Sequence, residues 1–262
     1  MLRRALKELR DGILSIAYPE DCRICGRPVE SYDDGVVCAT CWSDESPAGL
    51  LSGSAICFKC GVPLLDFSRT NSTDSEEGVR LCGVCGAAPF TSARSCGAYT
   101  GALEASILFM KTRPHICTRL RDIVRETFAR HREALAADVV IPVPLHRLRE
   151  RNRGFNQATI IAESVARNFD LLLDERSLVR VKDTERHRAG MDAVDRRRSV
   201  AGAFEVVRPR LIEGAAVLLV DDVYTTGSTV SSAASALGEA GAIRIGVFTV
   251  SRVLARATGV SR

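Results

Sequence analysis

Two adjacent carboxylates, Asp221 and Asp222, follow four consecutive apolar residues at 217–220 and precede a turn of small residues. The apolar run is typical of a central parallel strand that is buried on both faces. Such a strand holds the acids rigidly at its carboxyl end, which is the edge of an open α/β sheet that binds ligands. Carboxylates placed there accept hydrogen bonds from vicinal sugar hydroxyls or hold Mg²⁺ through its water shell.

The turn after the acids, called the hydroxyl turn below, predicts a second kind of contact. It consists of Thr225, Thr226, Gly227, Ser228 and Thr229, and a helix is predicted after it over residues 230–237. Unpaired backbone N–H groups at a helix start carry about half a positive charge and attract phosphate. Acids and turn together predict a site for a ribose phosphate. In the alternative interpretation, these residues only end a strand and cap a helix as turn formers.

Cysteine pairs at the other end of the chain predict metal binding. Four pairs have two intervening residues: Cys22 and Cys25, Cys38 and Cys41, Cys57 and Cys60, Cys82 and Cys85. This spacing lets both thiolates of a pair reach one tetrahedral Zn²⁺ at about 2.3 Å. The eight thiolates therefore predict two structural Cys₄ zinc sites. We prefer sequential pairing, since a crossed pairing would require the two ribbons to interleave.

A disulfide framework is the competing interpretation of these cysteines, and it requires an oxidising compartment. Charged residues interrupt residues 1–17, which therefore lack the apolar core of a signal peptide. No apolar run reaches the roughly 18 residues needed to cross a membrane. We therefore expect a reduced, cytoplasmic protein without a membrane span.

A length of 262 residues indicates two domains, at about 150 residues per domain. We expect an amphipathic helix over residues 1–18, a double zinc ribbon over 19–90 and a larger domain over 97–262. The ribbon segment has few periodic apolar stretches, so zinc must supply the missing stability, about 10 to 16 kcal/mol per site in finger peptides. Residues 68–78 are predicted to be a disordered loop.

The larger domain alternates between helical and strand patterns. Helices are predicted over residues 102–110, 120–128 and 157–168, and strands over 139–142, 178–181, 217–220 and 243–251. Strands separated by helices in this way predict a parallel sheet with right-handed crossovers. The fold class is therefore α/β.

A densely basic loop is predicted after the strand at 139–142. Arginines alternate along it at Arg147, Arg149, Arg151 and Arg153. Planar guanidinium groups suit polyphosphate oxygens, whereas the alternative is a solvated positive surface. A further basic stretch, residues 186–198, would either close over a pyrophosphate or contact nucleic acid.

The DDVYTTG run at residues 221–227 resembles the signature of the type I phosphoribosyltransferases, which bind 5-phosphoribosyl-1-pyrophosphate (PRPP). With the PVPLH and RGFNQ stretches, the four cysteine pairs and Lys111 after Tyr99, the chain resembles the competence protein F (ComF) family over nearly its whole length. Members of that family join an N-terminal zinc ribbon to a phosphoribosyltransferase-like domain. The resemblance implies a parallel-sheet type I phosphoribosyltransferase-like domain with a small N-terminal double zinc ribbon.

The resemblance also implies roles for individual residues. Asp221 and Asp222 would contact the ribose hydroxyls, and the hydroxyl turn would hold the 5-phosphate. The resemblance assigns further ligand-binding residues, chiefly to the pyrophosphate. They are Pro144, His146, Arg147, Arg153 and Lys111. Purine-salvage members have an acid where Thr225 stands here, and it helps to activate the base, so this loop has no obvious proton acceptor.

Two hypotheses about function follow from the resemblance. In the first, the chain binds PRPP or a related ribose phosphate with Mg²⁺, and whether pyrophosphate is displaced from C1 stays open. In the second, it is a non-catalytic protein of natural competence that handles single-stranded DNA together with competence-machinery proteins. A net charge of +4, 5% aromatic residues and one tryptophan do not require DNA binding, because dedicated binders are more basic and stack bases on aromatic rings.

Overall fold

The structure is a computed structural model that describes residues 20–44, 56–64, 81–83, 85–182 and 202–254. The helix expected over residues 1–18, the loop expected over 68–78 and the basic stretch 186–198 lie outside the described residues. None of the helices in the described ranges combines the length and the apolar character that crossing a bilayer requires.

The largest element is a five-stranded sheet whose neighbouring strands are all parallel. Its strands are β1 (Ser92–Ala98), β2 (Val139–Pro142), β3 (Leu172–Leu173), β6 (Ala216–Tyr224) and β7 (Arg244–Arg252), in the spatial order β1-β7-β6-β2-β3. A separate antiparallel pair is formed by β4 (Leu178–Arg180) and β5 (Phe204–Val206). The helices are α1 (Ala39–Asp44), α2 (Gly101–Met110), α3 (Thr118–Arg130), α4 (Arg147–Arg153), α5 (Gln157–Phe169) and α6 (Ser228–Glu239).

The central strand β6 separates two hydrophobic clusters, because successive side chains of a strand point to opposite faces. Leu218 and Val220 belong to the cluster that contains α2, α3 and α5, whereas Val217 and Leu219 belong to the cluster that contains α6. All four side chains are fully buried. Residues 217–220 are therefore buried on both faces of the sheet, as their apolar sequence predicts.

Each cysteine-rich ribbon joins a different cluster. The first ribbon, which holds Cys22 to Cys41, contributes Val36, Val37 and Trp42 to the cluster of α2, α3 and α5. The second ribbon, which holds Cys57 to Cys85, packs with Phe90 and Tyr224 in the cluster of α6. The two ribbons therefore lie against opposite faces of one sheet.

The predicted parallel α/β sheet with an N-terminal cysteine-rich region is confirmed, and so are the predicted helices that correspond to α2, α3 and α5. The strand predicted over residues 178–181 exists, but the prediction that it joins the parallel sheet was wrong. This strand, β4, pairs with β5 instead. Only residues 174–177 separate it from β3, and a parallel connection needs a crossover of a dozen residues or more. Asp174 closes this short turn by accepting hydrogen bonds from the backbone N–H groups of Arg176 and Ser177.

Three further features differ from the sequence prediction. The edge strand β1 begins at Ser92, before the predicted domain start at residue 97, and it was not recognised because SARSCGA contains no β-branched or aromatic residue. The stretch expected to be a basic loop contains the helix α4. Strand β6 continues to Tyr224, so Asp221 and Asp222 lie within the strand and do not follow it.

Candidate functional site

Asp221 and Asp222 lie near the carboxyl end of β6, in the half of the strand that reaches beyond the four residues paired with β2. The backbone N–H of Asp222 donates to Oδ1 of Asp221 at 2.9 Å. Asp222 Oδ2 lies 3.7 Å from Lys111 Nζ, at the end of α2. A cation therefore already faces one of the two acids.

The two carboxyl groups are not equivalent. Loss of hydration, and next the negative charge of Asp222, raise the pKa of Asp221 well above its usual range, whereas Arg180 acts in the opposite direction. A divalent cation or a hydroxyl donor would relieve the cost of holding charge on this carboxyl group. The pair is therefore suited to bind a cation or vicinal hydroxyl groups.

The hydroxyl turn leads directly into α6. Gly227 has a φ of +77° and a backbone that leaves no room for a side chain, since a Cβ there would lie 2.3 Å from Tyr224 Oη. Thr226 Oγ1 and Ser228 Oγ form a hydrogen bond of 2.7 Å, which fixes the turn. The first N–H groups of α6 then point toward its N-terminal end, as in anion-binding helix starts.

A cleft of about 930 Å³ opens in front of the acids. Seven predicted site residues line it: Lys111, Pro144, Arg153, Asp221, Asp222, Thr225 and Thr229. Thr226, Gly227 and Ser228 form the turn between two of these lining residues. The cleft thus collects residues from α2, from the segment after β2 and from β6 with its turn.

Two predicted residues outside the hydroxyl turn are not among those that line the cleft. His146 is the N-cap of α4, where its Nδ1 accepts from the backbone N–H of Leu148 at 3.4 Å. Arg147 is exposed at the first position of that helix. Both differences arise because the segment is helical, so alternate residues do not share a side.

Several lining residues were not selected individually from the sequence: Thr112, Arg149, Asn152, Asn156, Gln157 and Arg180. Arg149 and Asn152 lie within the stretch 144–153, which was expected to bind pyrophosphate. Arg149 belongs to the alternating arginines, and reading that stretch as a helix would have grouped it with Arg153 at i, i+4. Arg180 comes from the antiparallel β4–β5 pair, and no sequence signal placed that hairpin beside the acids.

Asn156 and Gln157, in the RGFNQ stretch, form hydrogen bonds that connect the segments lining the cleft. Asn156 caps α5 through its Oδ1, which accepts from Ala158 N at 3.1 Å, and donates from Nδ2 to the Val143 carbonyl at 2.9 Å. Gln157 is buried; it donates to the Met110 carbonyl and accepts a hydrogen bond from Arg153. These contacts fix Arg153 and Lys111, the residue after Met110, relative to each other.

The eight paired cysteines form two clusters, one in each ribbon. Within each group of four, the sulfur atoms lie within 4.8 Å of one another, and the groups are Cys22, Cys25, Cys38 and Cys41, and Cys57, Cys60, Cys82 and Cys85. Sulfur separations of 3.4 to 3.7 Å match the edge of about 3.8 Å expected for four thiolates at 2.3 Å from one zinc ion. The grouping is the sequential one, and both clusters fit structural zinc.

The first ribbon has one exposed ligand that is supported by a cation. Arg27 Nε donates to Cys25 Sγ at 3.4 Å. This hydrogen bond lowers the pKa of Cys25 to about 6, which favours the thiolate form that binds metal.

Two family models match the two parts of this architecture. Residues 13–86 match the double zinc ribbon domain, and residues 156–259 match the phosphoribosyl transferase domain. Among solved structures, similarity is found to the glutamine PRPP amidotransferase of B. subtilis, with a TM-score of 0.35 and 22% identity over 52% of this chain and 28% of that chain. A purine phosphoribosyltransferase of Pyrococcus horikoshii has a TM-score of 0.32 and 14% identity over 55% of this chain and 92% of that chain.

Three curated relatives have related names. The chain is 36% identical to competence protein F of Haemophilus influenzae, over 44% of this chain and 50% of that protein, and so spans only half of that relative's length. It is 26% identical to the DNA utilization protein YhgH of Salmonella typhimurium, over 91% and 100% of the two chains. Competence protein ComFC of Bacillus subtilis is 27% identical over 66% and 78%. The chain therefore joins a double zinc ribbon domain to a phosphoribosyl transferase domain and is similar to proteins named competence protein F, YhgH and ComFC.

Proposed function

We propose that the cleft binds PRPP, or a related ribose phosphate, together with Mg²⁺. The observation that carries this proposal is the arrangement of charge along the cleft. Two carboxylates and the start of α6 line the cleft together with four cations, Lys111, Arg149, Arg153 and Arg180. A ligand with vicinal hydroxyls and phosphate groups at both ends satisfies both sets of residues.

Each part of the site has a role in this proposal. Asp221 and Asp222 bind the ribose hydroxyls, and the hydroxyl turn binds the 5-phosphate through backbone N–H groups. Arg149, Arg153 and Lys111 bind the pyrophosphate, for which planar guanidinium groups provide paired hydrogen bonds. Mg²⁺, when bound, supplies positive charge to the pyrophosphate oxygens.

The proposed ligand admits one reaction. A nucleophile forms a bond to C1 of the ribose while the bond from C1 to the pyrophosphate oxygen breaks, and the pyrophosphate leaves with the electron pair. The arginines stabilise the negative charge that develops on the leaving group. Thr225 offers no carboxylate to accept the proton of the nucleophile, so turnover requires an acceptor that loses its proton readily or brings its own base.

Isothermal titration of PRPP in the presence and absence of Mg²⁺ tests the binding proposal. We expect Asp221→Asn and Asp222→Asn to abolish the Mg²⁺-dependent binding. Asp122→Asn, which makes the same charge change on the exposed face of α3, serves as control and should leave the affinity unchanged. An unchanged affinity in the two site variants would remove the proposal. Incubation of labelled PRPP with a pool of acceptors then separates a catalyst, which releases pyrophosphate with one acceptor, from a binder.

A second candidate function, handling of single-stranded DNA, is favoured by the names of the relatives and by one surface feature. The four arginines of α4 divide into two pairs: Arg149 and Arg153 line the cleft, whereas Arg147 and Arg151 are exposed outside it. The outer pair is accessible to a phosphate backbone without competing with a ligand in the cleft. Cleft binding and DNA binding are therefore compatible.

Double variants separate the two candidate functions. Arg147→Gln with Arg151→Gln should weaken oligonucleotide binding and flatten its salt dependence, by about 0.7 in log–log slope for each arginine–phosphate pairing that the substitutions remove. Arg149→Gln with Arg153→Gln should weaken PRPP binding instead. A salt-independent oligonucleotide affinity, or equal effects of both pairs on DNA, would count against a DNA role for the outer pair.

A further inference from the structure

Two buried arginines join the sheet to the second ribbon. Arg94 of β1 is 7% exposed, and Arg252 of β7 is 4% exposed. Arg94 donates to the carbonyl of Phe58 at 2.9 Å and to that of Ala93 at 2.8 Å, and Arg252 donates to the carbonyl of Cys60 at 2.5 Å. Both guanidinium groups therefore contact the backbone of the knuckle that carries Cys57 and Cys60.

These two positive charges lack an anionic partner in the part of the chain that the structure describes. There, no carboxylate oxygen lies within 4.0 Å of either guanidinium group, and the Nε atoms of both are buried with no hydrogen-bond partner. A buried charge without compensation is strongly destabilising. Four thiolates around one divalent zinc ion carry two net negative charges, which matches the two arginines beside this cluster.

Arg252 also contacts the tyrosine that supports the hydroxyl turn. Its guanidinium carbon lies 4.8 Å from the ring centroid of Tyr224. Tyr224 is 9% exposed and meets Phe90 edge to face. The other side of the phenol reaches Gly227, where a Cβ would lie only 2.3 Å from Oη. Packed contacts therefore run without a gap from Cys60 through Arg252 and Tyr224 to Gly227.

We propose that metal binding in the second ribbon and ligand binding at the hydroxyl turn are thermodynamically coupled, with Arg252 and Tyr224 as the positioning residues between them. The ligand part of this coupling rests on the function proposed above. When the metal leaves, the four thiolates are no longer held together, and the knuckle whose Cys60 carbonyl accepts from Arg252 loses its fixed position. The knuckle and the guanidinium group then separate, and Tyr224 no longer supports the backbone of Gly227. Coupling of this kind is reciprocal, so a bound ligand also retains the metal.

Hydrogen exchange tests the coupling without any ligand. In Arg252→Gln we expect one of the two zinc ions to be released faster to a chromogenic chelator, and the amides of residues 224–230 to exchange at least about fivefold faster. Arg244→Gln is the matched control, because Arg244 lies at the opposite end of the same strand and also donates to backbone carbonyls, those of Glu133 and Ala134. The control should change neither quantity. Equal exchange at residues 224–230 in Arg252→Gln and in the unaltered protein would overturn the proposal.

Variants of Tyr224 distinguish positioning from general stability. Tyr224→Phe keeps the ring and should behave like the unaltered protein. Tyr224→Leu leaves the bond between Arg252 and Cys60 possible, so we expect both zinc ions to be retained while residues 225–230 exchange faster. If Tyr224→Leu left this exchange unchanged, Tyr224 would not be the connecting residue and the proposal would be wrong.

The final experiment uses PRPP with Mg²⁺ as the probe. Saturating PRPP should slow zinc release from the second ribbon at least about fivefold in the unaltered protein and have no effect in Tyr224→Leu. Absence of PRPP binding would contradict the proposed function, whereas the exchange experiment would still decide the coupling. Binding of PRPP with no effect on zinc release would contradict the coupling alone.

Discussion

At Gly227 the backbone is left-handed and lies close to the hydroxyl end of the Tyr224 ring. The φ of +77° disfavours any L side chain, and the space for a Cβ is already occupied by the tyrosine hydroxyl. Burial also raises the pKa of Tyr224 to about 12, so the phenol is neutral at physiological pH. Glycine is therefore required here for two separate physical reasons.

Gly227→Ala should therefore destabilise the protein by more than the backbone strain alone, because the new Cβ also clashes with Tyr224. Gly214 provides the control, since its φ is +74° but a Cβ there meets nothing within 4 Å. We expect Gly214→Ala to lower the free energy of unfolding by about 1 to 2 kcal/mol and to leave PRPP affinity unchanged. Gly227→Ala should lower the free energy of unfolding further and weaken PRPP binding, as measured by urea denaturation and titration calorimetry. Equal losses in both variants would show that contact with Tyr224 is unimportant.

The raised pKa of Asp221 predicts a pH effect on stability. Since the pKa in the folded protein lies above the unfolded value near 3.8, the folded state binds the proton more tightly. This contribution is complete below the unfolded pKa and is lost as the pH rises through the folded pKa. At neutral pH Asp221 therefore makes the ligand-free protein less stable than it would be in acid, as far as this group is concerned.

Asp221→Asn should remove that destabilisation. We expect its melting temperature at pH 7 to exceed that of the unaltered protein, with the difference shrinking toward pH 4, although Mg²⁺-dependent PRPP binding is lost. Differential scanning calorimetry over this pH range measures the effect. A lower melting temperature at pH 7 would mean that the carboxylate stabilises the empty site.

At the scale of elements, helix α4 determines which of its arginines lie on the same side of the helix. The His146 cap begins it, and Gly154, with a φ of +81°, ends it. Helical spacing places residues four apart on one side, so Arg149 and Arg153 share the cleft while Arg147 and Arg151 are exposed. An extended loop would have placed all four arginines on the same side.

The two ribbons are elements whose metal pairing is directly testable. The sequential grouping places Cys25 and Cys41 in one cluster and Cys60 in the other. Cys25→Ser with Cys41→Ser should therefore retain one zinc ion per chain, whereas Cys25→Ser with Cys60→Ser should retain neither. Metal analysis of the purified variants gives the count. A crossed pairing of the first knuckle with the third would produce one retained ion in the second variant.

At the scale of the whole molecule, the ribbons are parts of the two hydrophobic clusters that cover the sheet. Trp42, the single tryptophan, is 2% exposed in the first ribbon. Its indole N–H donates to the Asp34 carbonyl at 3.0 Å, and its side chain belongs to the same cluster as α2, α3 and β6. A ribbon packed in this way shares its stability with the sheet.

We therefore expect one cooperative unfolding transition. Trp42 fluorescence reports the first ribbon and far-ultraviolet circular dichroism reports the sheet and helices, and their urea midpoints should coincide. Zinc chelation should lower both midpoints together. A fluorescence transition that clearly preceded the loss of circular dichroism would show that the first ribbon unfolds independently.

The sequence by itself determined the elements whose causes are local. Residues 217–220 specify a buried strand because they are uniformly apolar, and the CxxC pairs specify zinc knuckles because two intervening residues bring both sulfurs to one ion. Asp221, Asp222 and the hydroxyl turn were selected for the same reason, since strand, acids and helix start follow one another along the chain.

Only the tertiary structure decided the features that depend on distant partners. β1 is a strand because it pairs with β7, and its own residues have little preference for that state. Arg180 reaches the cleft because the link from β3 is too short for a parallel connection and β4 must pair with β5 instead. Arg94 and Arg252 act as counter-charges because the second ribbon packs against the sheet, which the sequence does not indicate. Burial and charge pairing are set by packing across the whole fold and not by neighbours in sequence.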